Sequence, residues 1–190
     1  SRPFYNQQLK APLCRWMVLW LRRKGMRDMK DEEVLSYLMH GAKSHVATTE
    51  ALLRVHDPTY VAMVQAAASR MQSNPPHSPM PFTPMVQQAG GAPPSTLKDP
   101  ETCDTRLSAG SYAAARRAAG SVVAAIDRVL EGSARNALCL VRPPGHHAGI
   151  KGLIPGSVSC GFCVFNSVMV GAAHALSAAS AARAAPIDGA

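Results

Sequence analysis

The chain is poor in acidic residues: 12 Asp and Glu stand against 20 Lys and Arg, for a net charge of +8 and a pI of about 9.6. Such a balance favours acidic partners such as nucleic acid. No block of five or more Lys and Arg occurs, however, and the preferred reading is a soluble enzyme with a basic surface. Cysteine is sparse as well. Five, an odd number scattered over 190 residues, are not the dense even set of a secreted disulfide scaffold and point to a reducing compartment, nucleus or cytoplasm. No signal-peptide core is expected near the start of the sequence, because Met17 to Leu21 is too short and is flanked by Arg15 and Arg22. A membrane span is not expected either. The one long apolar run, Val164 to Ala182, is interrupted by Asn166, Ser167, His174, Ser177 and Ser180 and is Ala-rich rather than Leu-rich. The chain starts at Ser1 without Met and ends at Asp188-Gly189-Ala190, past an Ala-rich run, so a fragment of a longer protein is expected. A content of 47% hydrophobic and 17% charged residues fits a globular chain, long enough for one domain with a core.

Helical periods are readable at several places. Leu13, Trp16, Met17, Trp20 and Leu21 share one face of a helix expected from Pro12, and Asp31 to Leu38 reads as a short helix or strand. Thr48 and Thr49 offer capping hydroxyls before Ala51-Leu52-Leu53. Asp57-Pro58 reads as a cap followed by proline in the first turn of a helix carrying Val61, Val64 and Ala68 and fading near Met71. Residues 73–100 hold eight prolines and Gly90-Gly91 and are expected to form a long loop. Ser108 to Glu131 is the strongest helix, stopped by Gly132. Ala137 to Val141 is a short apolar run between a helix and a Pro-Gly turn, which predicts a buried parallel strand. Residues 183–190 form a low-complexity end.

Reactive side chains concentrate in Leu140 to Asn166. Pro143-Pro144-Gly145 turns the chain into His146 and His147, and Cys160-Gly161-Phe162-Cys163 follows. Imidazole, with an ordinary pKa of ~6.5, switches charge near neutrality. The two histidines are candidates for acid/base work or metal binding, or are loop histidines bonded to backbone. The cysteine pair admits a redox dithiol, half of a zinc site with His146 or His147, or small buried residues at the start of a helix. The structural reading is preferred. Phe162, Phe165, Met169 and Leu176 would then share one helix face.

Arg142-Pro143-Pro144-Gly145-His146-His147-Ala148, followed by Gly161-Phe162-Cys163-Val164-Phe165-Asn166-Ser167-Val168, resembles the zinc-dependent histone deacetylases, closest to their class II branch. Ala47 to His56 with Tyr60 resembles the family's early helix pair, and Asp104-Thr105 with Ser111 to Gly120 its long helix. The resemblance implies an α/β three-layer sandwich around a mainly parallel sheet, of the arginase/deacetylase type, present as its N-terminal part. It implies hydrolysis of Nε-acetyl-lysine, with His147 as general base and His146 holding charge and orienting the carbonyl and leaving group. Gly161 and Phe162 would line the acyl-lysine tunnel. It also implies Zn²⁺, an acetylated lysine of a histone or other protein as partner, and a chromatin-associated complex.

The chain departs from that pattern. No Asp-x-His pair occurs, so no metal ligand is assigned here and the zinc ligands are expected downstream of residue 190. Gly149 to Cys160 is longer than the family's usual connection, and the family's N-terminal His-Pro-Glu pattern is not recognisable near Pro12. Thr102 falls near the expected place of the rim carboxylate, with Asp99, Glu101 and Asp104 close by; Asp104 is the candidate. Two other functions stand beside protein deacetylation: deacetylation of a small acetylated amine of polyamine type, and a thiol redox or structural module built on Cys160 and Cys163.

Overall fold

The computed structural model describes residues 45–73 and 79–184, with the side chains of 181–184 excepted. The helix expected from Pro12, the piece at Asp31 to Leu38, and residues 185–190 lie outside the described residues. Helix α1 (Thr49–Leu53) begins where Thr48 accepts the N–H of Ala51 at 3.1 Å. Helix α2 (Pro58–Ser73) begins where Asp57 accepts the N–H of Thr59 at 2.8 Å. Both caps satisfy donors that a helix start leaves free. Helix α4 (Ser111–Leu130) ends at Gly132, whose φ of 73° lets the chain leave the helix. Helix α5 (Ser167–Ala184) packs along α4.

The described part of the proline-rich stretch, residues 79–100, is more than a loop. It contains strand β1 (Met80–Pro81), helix α3 (Thr83–Ala89) and a 3₁₀ turn at Pro94–Thr96. Pro84 stands in the first turn of α3, where an N–H would have no helical partner. Buried Gln87 then staples the following loop. Its amide donates to the carbonyl of Thr96 at 3.1 Å, and its oxygen accepts the N–H of Lys98 at 2.6 Å.

Among the described residues the expected parallel sheet is not seen. There are two short antiparallel ladders instead. Strand β1 pairs with β2 (Arg106–Leu107) in the register Met80 to Leu107, and β3 (Ala148–Gly149) pairs with β4 (Gly152–Leu153) as a hairpin with Ile150 and Lys151 at its tip. The apolar run Ala137 to Val141 is not a strand here, and Leu138 and Leu140 are 61% and 51% exposed. A strand exists only through hydrogen bonds to a neighbour, and this run is paired with no strand among the described residues.

The core joins these elements. Leu52, Tyr60, Val61, Val64, Phe82, Val86, Leu107, Ala115, Ala119, Phe165 and Val170 are buried together. Phe165 stands at the centre, edge-on to Tyr60 and Tyr112 with ring centroids 6.0 Å away in each case. Such edge contacts suit the charge distribution of aromatic rings. At the α4–α5 crossing, a Cβ at Gly171 would stand 2.6 Å from Val122 Cγ1 and 2.8 Å from Ile126 Cδ1. Glycine therefore sets how closely the two helices approach. A turn further on, His174 Nε2 meets the Asp127 carboxylate at 2.5 Å.

Candidate active site at the His-His turn

The segment expected to open the last helix is a tight turn instead. Helix α5 starts at Ser167, not at Phe162. The N–H of Cys163 donates to the carbonyl of Cys160 at 2.8 Å, and the two central residues have positive φ, 52° at Gly161 and 64° at Phe162. That is the pattern of a type I′ turn. A left-handed backbone costs a non-glycine residue about 1–3 kcal/mol and persists only where its surroundings enforce it. Phe162 and Phe165 consequently do not share a helix face with Met169 and Leu176. The turn leaves the Phe162 ring 53% exposed, as an apolar wall beside the histidines, while Phe165 points into the core.

His147 rests on this turn. A Cβ at Gly161 would lie 2.5 Å from His147 Cδ2, so the ring occupies the space that glycine leaves open. The N–H of His147 points at Cys163 Sγ, 3.4 Å away. His146 lies beside it, with ring centroids 4.3 Å apart and planes at 50°, and both histidines are solvent-exposed. The structure thus brings His146, His147, Gly161 and Phe162 together.

Both cysteines of the turn are fully buried. Burial pushes the Cys160 thiol up to about 11 and raises that of Cys163. Redox exchange needs an accessible thiolate, which neither supplies. They pack the turn, as small buried residues ahead of the helix rather than within it.

Residues far upstream hold the turn from below. Buried His56 accepts the N–H of Asn166 at Nε2, 2.9 Å, which leaves Nδ1 to carry the proton and donate to the carbonyl of Gly149 at 3.1 Å. Loss of solvation lowers the pKa of His56, against a raising effect of the Ile150 and Gly149 carbonyls, and favours this neutral form. The Asn166 amide donates to the carbonyl of Ala148 at 3.0 Å, directly after His147. The Tyr60 hydroxyl donates to the carbonyl of Val164 at 2.6 Å. Burial holds that phenol protonated, well above its ordinary range. In the sequence, His56 and Tyr60 stand out only as part of the early helix pair; their supporting role carries no local signal.

Of the rim candidates, Asp104 is tied to the turn. Its carboxylate accepts from the Ser159 and Thr105 hydroxyls. Asp99 accepts the N–H of Glu101 within its own loop, at 2.8 Å, and Thr102 and Glu101 are exposed. No three His, Cys, Asp or Glu side chains converge among the described residues. The described residues alone therefore do not make a zinc site.

Comparison with known proteins identifies the family. A family model described as "Histone deacetylase domain" matches residues 17–189. Over 75 residues, 40% of this chain, it is 48% identical to "Type-2 histone deacetylase 1" of Dictyostelium discoideum, of which it covers 5%. Over 129 residues, 68% of this chain, it is 33% identical to "Polyamine deacetylase HDAC10" of Homo sapiens, of which it covers 15%. The crystal structure of the HDA15 HD domain superposes on 72% of this chain and 30% of its own, with a TM-score of 0.52 and 26% identity. The chain thus spans less than a third of each of these proteins. With the His-His turn and its supports placed as above, the chain belongs to the histone deacetylase domain family, with relatives in the class II branch.

Proposed function

We propose that this chain contributes the histidine side of the active site of a lysine deacetylase, in a protein that hydrolyses Nε-acetyl-lysine. The observation that carries the reading is the seat of His147 on Gly161, with His146 at its side and the exposed Phe162 ring as an apolar wall. Water adds to the amide carbonyl, the C–N bond breaks, and acetate and a free amine leave. In that reaction His147 takes the proton of the attacking water. His146 holds charge and orients the carbonyl and the departing amine. The Phe162 ring covers the methylene stem of the lysine, which is apolar up to its nitrogen. Asp104, at the edge of the same turn, is the rim carboxylate that accepts backbone N–H groups of the substrate. The zinc on which the family depends is held by ligands other than the residues described.

The deciding experiment uses the full-length protein that carries this chain. His147→Ala is expected to lower kcat on an acetyl-lysine peptide by on the order of 10²–10⁴, the usual contribution of a positioned proton acceptor, with little change in KM. Turnover equal to the parent would refute the role. A second reading, hydrolysis of a small acetylated amine, is supported by the likeness to a relative named polyamine deacetylase. Preference for an N-acetylated polyamine over acetyl-lysine peptides in the same assay would select it.

A further inference from the structure

The carboxylate of Asp104 is gripped in an unusually symmetric way. Ser159 Oγ donates to Asp104 Oδ2 and itself accepts the N–H of Gly161 at 2.9 Å. Thr105 Oγ1 donates to Asp104 Oδ1 at 3.0 Å and itself accepts the N–H of Phe162 at 2.8 Å. Two successive N–H groups of the left-handed turn thus feed two hydroxyls, and each hydroxyl feeds a different oxygen of one carboxylate. A hydroxyl has a single proton and two lone pairs. Both hydroxyls therefore run in the same sense, from amide to hydroxyl to carboxylate, and each link polarises the next.

We propose that Ser159 and Thr105 are positioning residues that clamp the Asp104 carboxylate to the backbone of the Gly161–Phe162 turn, so that rim carboxylate and apolar wall form one rigid unit for peptide binding. The inference rests on the reading of Asp104 as the rim carboxylate. It also gives the long connection between Gly149 and Cys160 a task. Ser159 belongs to that connection and is braced within it: the Ser157 hydroxyl donates to the Ser159 carbonyl at 2.7 Å and accepts the Ser159 N–H at 3.4 Å. Thr105 is fixed from the other side. It is buried, and its carbonyl accepts the N–H of Phe82 at 2.9 Å. The carboxyl of Asp104 lies below its ordinary range, with the Ser159 hydroxyl as the largest cause and the Thr105 hydroxyl in the same direction. An ionised carboxylate offers about four acceptor positions. The clamp uses two, and about two remain for N–H groups of a substrate backbone.

The test measures binding rather than turnover. Full-length protein is titrated, by fluorescence anisotropy, with a labelled peptide in which the acetamide of acetyl-lysine is replaced by a non-hydrolysable methyl ketone. Ser159→Ala is expected to weaken Kd about tenfold, the scale of one charge-assisted hydrogen bond. It is also expected to move the acidic limb of binding to higher pH, towards the ordinary aspartate range. Ser159→Thr, which keeps the hydroxyl, should restore both. A peptide N-methylated at the backbone amides flanking the lysine should bind parent and Ser159→Ala equally. If Asp104→Asn weakens binding while Ser159→Ala binds as the parent does, with its acidic limb unmoved, the clamp is overturned and the rim reading stands. If Asp104→Asn itself binds as the parent does, the rim reading fails and the clamp's role in binding fails with it.

Discussion

At 1% exposure, His56 does its structural work as a neutral ring. Protonation of Nε2 would remove the acceptor for the Asn166 N–H and place a charge among Phe165, Tyr60 and the backbone. Its pKa is lowered in the folded chain, from an ordinary 6.5, by burial. The sign of the linkage follows: the unfolded state takes up this proton first as the pH drops. The contribution of His56 to stability is fully present above pH ~6.5 and is lost as the pH falls through the lowered folded value. Urea unfolding at pH 7.5 and pH 5 should show a loss in the parent that His56→Gln largely removes; an equal loss in both would refute the assignment. The residue scale is also where the sequence is least legible. The spacing of Cys160 and Cys163 is compatible with a redox pair, a zinc half-site or packing. Only burial and the direction of the pKa shifts decide among them. The positive φ of Phe162 is invisible as well, because a non-glycine residue gives no warning of a left-handed backbone.

Elements fare better where local chemistry and pattern agree. Helices α2 and α4 are readable from caps, apolar spacing and Gly132. Helix α3 hides among prolines, because a proline in a first turn looks the same as one in a loop. The run Ala137 to Val141 has a strand's composition but no pairing, and composition cannot supply a partner. The α4–α5 crossing gives a prediction at this scale. Gly171→Ala gains about 1 kcal/mol of helix propensity, but its Cβ would meet Val122 Cγ1 at 2.6 Å. Valine is nearly locked in one rotamer in a helix, and overpacking costs about 1–3 kcal/mol. The net expectation is a loss. The double change Gly171→Ala with Val122→Ala should be more stable than the sum of the two single changes, measured by urea unfolding as a double-mutant cycle. Strict additivity would show that the helices are not in fact limited at this contact.

For the molecule as a whole, the described residues supply a pair of histidines, an apolar wall and a clamped carboxylate, but no cluster of three metal-binding side chains. With no Asp-x-His pair anywhere in the sequence, residues 1–190 alone are expected to bind Zn²⁺ weakly and to show no hydrolysis of an acetyl-lysine peptide. Measurable Zn²⁺-dependent turnover by the isolated chain would overturn this. The family itself was legible from the two blocks around His146-His147 and Gly161-Phe162. The support beneath them was not, because it is long-range. Asn166 is bonded to His56 across 110 positions, Val164 to Tyr60 across 104, and Cys160 to Thr83 across 77. Closing chain segments of that length carries an entropy cost that rises as the logarithm of their length, and contacts so distant in sequence form slowly. The segment from Cys160 to Asn166 is accordingly shaped by distant parts of the chain rather than being a local motif. A peptide cut out as residues 140–166 would retain every reactive group of the stretch and none of the hydrogen bonds from upstream that shape it.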